Sequence, residues 1–137
     1  MPTVKNVNLT LSDSGGQVRA TVTYDVDVTP FERQLVGLGA EYHSHIALHD
    51  FDGGDGVGAA LAEFPRGSNS ESHLDITVGS VIQTLPKSQS ALFPRFQLKG
   101  DAPNNDDEIK AKVRIHTESA QVAFTPDVLS DQEILAD

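Results

Sequence analysis

The residue pattern predicts an all-β protein: an antiparallel β-sandwich, Ig-like or jelly-roll-like, of about seven strands. Apolar residues recur at every second position through most of the chain, with Gly, Pro, Asp and Ser between those stretches. No long segment holds a period of 3.6, so α/β architectures are poor candidates. The alternation is one-sided, apolar against polar, as in sheets with one face on a core and the other in water.

The elements follow in chain order. Val7, Leu9 and Leu11 alternate with Asn8 and Thr10, and Ser12-Asp13-Ser14-Gly15-Gly16 supplies a turn into the next strand. That strand is the clearest of all. Val18, Ala20, Val22, Tyr24, Val26 and Val28 take one face, and Arg19, Thr21, Thr23, Asp25 and Asp27 the other. Residues 30–39 read as a loop between strands. Leu38, Ala40, Tyr42, Ser44, Ile46 and Leu48 then alternate with Glu41, His43, His45 and His49. Leu74, Ile76 and Val78 make a further strand, Phe96 and Leu98 a short one, and Ile109, Ala111, Val113 and Ile115 a regular one. Val122 and Phe124 close the series. One domain is expected over 1–126, followed by an acidic tail, 127–137, in which Ser130 is placed to N-cap a short helix.

Composition bounds the function. The chain has 137 residues, 20 Asp+Glu against 10 Lys+Arg, and a net charge of −10. Such a surface repels phosphate backbones and anionic lipid, so neither nucleic-acid binding nor membrane insertion is expected. Lys110, Lys112 and Arg114 stand at alternate positions and read as a solvated strand face. There is no Cys, hence no disulfide framework, thiolate metal site or Cys nucleophile. Neither a signal peptide nor a transmembrane run is legible, so a soluble, cytoplasmic protein is expected. No Gly-x-Ser-x-Gly elbow or phosphate-cradling Gly loop occurs. There is no Trp, and Tyr24 and Tyr42 fall on core faces, which argues against a sugar-stacking platform.

Two constellations could hold a metal. His43, His45 and His49 project from one strand face; His43 and His45 are close enough to converge on a divalent transition ion, whereas His49 lies too far along. A third ligand would have to come from an adjacent strand, as His116, His73 or a carboxylate such as Glu41. The second constellation is the loop containing Asp50, Asp52 and Asp55, with Gly53, Gly54 and Gly56. Its clustered carboxylates suit calcium, although the spacing departs from an EF-hand and the closing Glu is absent.

The run Gly37, His43-Ser44-His45, Asp50, Gly56 resembles the first motif of the cupin barrels. That family has Glu where this chain has Asp50, its closing Gly falls one position later, and no counterpart of its second motif occurs here. The resemblance implies a jelly-roll holding a divalent metal. The leading expectation is a non-enzymatic binding or structural module acting through protein–protein association, self-association included. A small metal-dependent cupin-like protein using His43 and His45 is one alternative; a calcium-stabilised ligand-binding sandwich is another. A homo-oligomer is expected from residues 74–85, where Asp75 is the only charge and Val78, Val81, Ile82 and Leu85 crowd together.

Overall fold

The computed structural model describes residues 2–51, 57–64, 73–98, 107–117, 128–130 and 133–135. These form two antiparallel sheets with few helical residues. Strands β1 (Thr3–Ser14), β2 (Gln17–Val28) and β5 (Gln83–Pro94) make the first sheet, in the order β1-β2-β5. Strands β4 (Val57–Glu63), β3 (Tyr42–Phe51) and β6 (Asp107–Thr117) make the second, in the order β4-β3-β6. The short strands β7 (Val128–Leu129) and β8 (Glu133–Leu135) extend it along β6. Helix α1 (Pro30–Gly37) joins the sheets, and a single helical turn, α2 (Arg95–Leu98), follows β5. Among the described residues no helix is long and apolar enough to cross a membrane.

The β1–β2 hairpin forms where the turn residues fall. Ser14 faces Gln17, and Gly15 and Gly16 between them have φ of 59° and 84°. A two-residue turn with both φ values positive matches the right-handed twist of its strands, and glycine adopts it without a Cβ clash. Upstream, Asn6 also has positive φ, 56°, beside a break in the β1–β2 register between Lys5 and Asn8. That bulge resets the pleat, so Val4 and Val7, an odd number of residues apart, are both buried.

In β2 the register follows the valine pattern. Val18, Ala20, Val22, Val26 and Val28 are fully buried, Tyr24 nearly so, and Thr23 is exposed. They join Ile46, Leu48, Ile109, Ala111, Val113 and Ile115 of the second sheet in one apolar cluster. A buried hydrogen-bond network ties the sheets through that cluster. Tyr24 Oη donates to Ser44 Oγ (2.6 Å), and Gln89 Nε2 donates to both oxygens (2.8 Å each).

Several expectations are corrected. Residues 30–37 are helical because Thr29 closes a capping box: its hydroxyl accepts from Glu32 N, while the Glu32 carboxylate accepts from Thr29 N, with Pro30 opening the first turn. Leu38 therefore ends a helix and lies 85% exposed, rather than starting a strand. The stretch 74–77 keeps its alternation, with Leu74 and Ile76 buried and Asp75 and Thr77 exposed, but Val78, expected on the face of Leu74 and Ile76, is more than half exposed, and the segment pairs only through a bridge from His73 to His43. Phe96 and Leu98 belong to α2, not to a strand. In the tail, 128–129 and 133–135 are strand rather than helix. Ser130 Oγ accepts from Ala111 N and Ser130 N donates to Ala111 O, so the expected cap is committed to β6, and 133–135 then pairs with 107–109. Two strands, β4 and β5, have no counterpart in the sequence reading. Val122 and Phe124 lie outside the described residues.

Candidate functional site

Two places on the described surface carry features beyond packing. The first is the outer face of the second sheet. In β3, Tyr42, Ser44, Ile46 and Leu48 turn to the core, which sends His43, His45, Ala47 and His49 to the opposite face. The β3–β6 register then sets His43 against His116, His45 against Arg114, Ala47 against Lys112 and His49 against Lys110. On the other side of β3, His73 bridges His43. The chain contains five histidines, and all of them stand on β3 or directly across from it.

This face is not simply solvated. His43 and His49 are buried, and Lys110, Lys112, Arg114 and His116 are half-buried. The centre of the cluster is His43. Its ring centroid lies 5.0 Å from that of His73 and 5.9 Å from that of His116, with interplanar angles of 32° and 23°. The Glu41 carboxylate comes within 3.8 Å of His43 Nε2. His45 has different surroundings, with Glu63 Oε1 at 3.5 Å from its Nε2. The pair read from the sequence, His43 and His45, thus meets two different carboxylates, while His43 gathers two further histidines from neighbouring segments.

A cleft of about 360 Å³ opens beside His73. Its walls are the end of α1 at Val36, the entry to β3 at Ala40 to Tyr42, and residues 73–77. Glu41 and Asp75 bring negative charge to it, and Lys87 Nζ, from β5, donates to His73 O at 3.1 Å and holds that wall.

Of the expected calcium loop, Asp50 lies in β3 opposite Ile109 and is half-buried. Asp52 and Asp55 lie outside the described residues.

The second place is the apolar end formed by α1 and residues 77–82. The Arg33 guanidinium gathers that segment, donating to Thr77 O (2.6 Å), Val81 O (2.8 Å), Thr77 Oγ1 (3.1 Å) and Val78 O (3.3 Å), and Gln34 Nε2 donates to Gly79 O (3.1 Å). With its carbonyls tied inward, the segment turns its side chains out. Val78, Val81 and Ile82 are more than half exposed, as are Phe31 and Leu38 of the helix side. Phe31 and Leu38 lie two turns apart on one helical face, and Val78 packs against Gly37. Residues 77–86 contain no charged side chain.

Comparison with known protein families, with characterised proteins and with solved structures finds no match for this chain. The likeness to the cupin motif rests on residues 37–56 alone.

Proposed function

We propose that the protein is a non-enzymatic binding module of the cytoplasm, an Ig-like or jelly-roll-like β-sandwich that works by associating with a second copy of itself. One observation carries this reading: the exposed apolar surface of Phe31, Leu38, Val78, Val81 and Ile82. Exposed apolar side chains grouped at one place on a soluble domain mark contact sites, because water is released when they are covered. The partner is argued from charge. A chain of net charge −10 repels its own copies over most of its surface. Residues 77–86, without a charge, offer a place where two copies meet at the least electrostatic cost. Arg33 supports the role by holding the segment in one conformation, so little ordering entropy is lost on contact.

Size-exclusion chromatography with light scattering tests the proposal. The expected result is a mass above the 14.7 kDa of one chain, reduced to 14.7 kDa by Ile82→Lys with the circular dichroism spectrum unchanged. A monomer at high concentration, indifferent to Ile82→Lys, would remove the reading. So would a wild-type oligomer that Ile82→Lys leaves intact.

A further inference from the structure

The histidine cluster leads to a second site, independent of self-association. We infer that His43, His73 and His116, with Glu41 as a fourth donor, form a site for a divalent transition metal ion, of which zinc is the representative. The ligands come from three adjacent segments and not from the His43/His45 pair alone. His43 stands between the other two, bridged to His73 on one side and registered with His116 on the other.

The distances suit the chemistry. With Zn–N bonds of about 2.0–2.1 Å, two imidazoles on one tetrahedral ion hold their ring centres on the order of 5 Å apart. The observed separations from His43 are 5.0 Å and 5.9 Å. Strands about 4.8 Å apart place the backbones of His73 and His116 roughly 10 Å apart. Two imidazole side chains leaning inward from either flank span that gap. As the side chains stand, no group of three His, Asp or Glu among the described residues already closes on one point. Closure requires the His73 and His116 rings to turn toward His43 about χ1 and χ2, and it leaves the backbone ladder intact.

Two further observations point to a ligand here. His73 Nδ1 is buried and makes no hydrogen bond; a buried polar atom without a partner carries a desolvation penalty that a metal bond would relieve. The cleft beside His73 is lined by two of the four donors, His73 and Glu41, and by a further carboxylate, Asp75. Three neutral imidazoles and one carboxylate form a mixed nitrogen and oxygen set that suits zinc, nickel or copper far better than calcium or magnesium.

The test titrates the full chain with Zn(II) and, as a spectroscopic probe, Co(II). The expected result is one ion per chain, with a Co(II) visible spectrum of four-coordinate intensity. His73→Gln and His116→Gln are each expected to weaken binding at least about tenfold, while His45→Gln leaves it unchanged. Because a variant in the sheet could perturb folding, long-range ¹H–¹⁵N spectra of the wild type supply the second readout. At one equivalent of Zn(II), ring nitrogens of His43, His73 and His116 shift together, and those of His49 do not. Absence of stoichiometric uptake, uptake indifferent to His73→Gln and His116→Gln, or shifts confined to His45 and His49 would each overturn the assignment.

Discussion

Tyr24, Ser44 and Gln89 occupy core positions yet carry polar atoms, and each satisfies the others across the space between the two sheets. Tyr24→Phe removes the hydroxyl but leaves Gln89 bonded to Ser44, so an expected cost of about 1 kcal/mol follows, measurable by urea unfolding. Burial pushes the Tyr24 phenol above its usual value, against the opposing pull of its hydrogen bonds with Ser44 and Gln89. A raised folded pKa means the neutral form is favoured in the folded chain. The stability it contributes is complete below pH 10 and is lost as pH rises through the folded value. Burial and the charge of Glu32 raise Tyr42 likewise. Tyr24→Phe should therefore flatten, without abolishing, the fall in stability above pH 10; an unchanged alkaline slope would show that Tyr24 is solvated. Among purely apolar positions, Val22 is fully buried and its neighbour Thr23 is exposed. Val22→Ala should cost about 1–3 kcal/mol, through lost transfer energy and a residual void, and Thr23→Ala well under that. The reverse order would contradict the register of β2.

At the scale of elements, α1 and residues 77–82 behave as one unit. Thr29→Ala opens the capping box and should cost about 1 kcal/mol. Arg33 makes four hydrogen bonds to the segment, and Gly79 lets the guanidinium approach: a Cβ on Gly79 would lie 2.3 Å from Arg33 Cζ. Gly79→Ala should push the guanidinium away. Arg33→Lys should fail to replace it, because a point charge cannot serve carbonyls spread over a planar fork. Both changes are expected to speed amide hydrogen exchange across 77–82 while β2 and β6 keep their protection. Unaltered exchange would mean that the segment holds its shape without Arg33. The same unit shows what was legible beforehand. Thr29-Pro30-Phe31-Glu32 is a capping box in plain sequence, yet it opens only eight residues of helix, too short to register as a period. β5 was hidden for the opposite reason. Its inward Gln89 is polar, and Pro86 and Pro94 discourage a strand assignment, although an edge strand tolerates them.

For the whole molecule, charge and apolar surface act against each other. Each chain carries −10, and repulsion between copies is screened as the Debye length falls from about 30 Å at 0.01 M salt to about 8 Å at 0.15 M. If the α1 and 77–82 surface joins two copies, added salt should strengthen association, as read by light scattering at fixed protein concentration. Association that weakens with salt would point instead to a contact made by opposite charges. The basic row of Lys110, Lys112 and Arg114 does not alter this expectation, because those side chains are half-buried beside the histidines.

Periodicity alone determined the β class, the Gly15-Gly16 hairpin, the buried face of β2 and the apolar face of β6, because a period of two and a turn dipeptide are local properties of the chain. It also placed His43, His45 and His49 on one face. Tertiary structure alone decided which residues join them. His116 reaches His43 only through the β3–β6 register, from 73 positions further along the chain, and His73 reaches it through a single bridge. Strand pairing is a long-range choice made by the whole core, so neither contact has a local signal. The tail illustrates the same rule: Ser130 has the chemistry of a helix cap, and it serves β6 because Ala111 is there to bond with it.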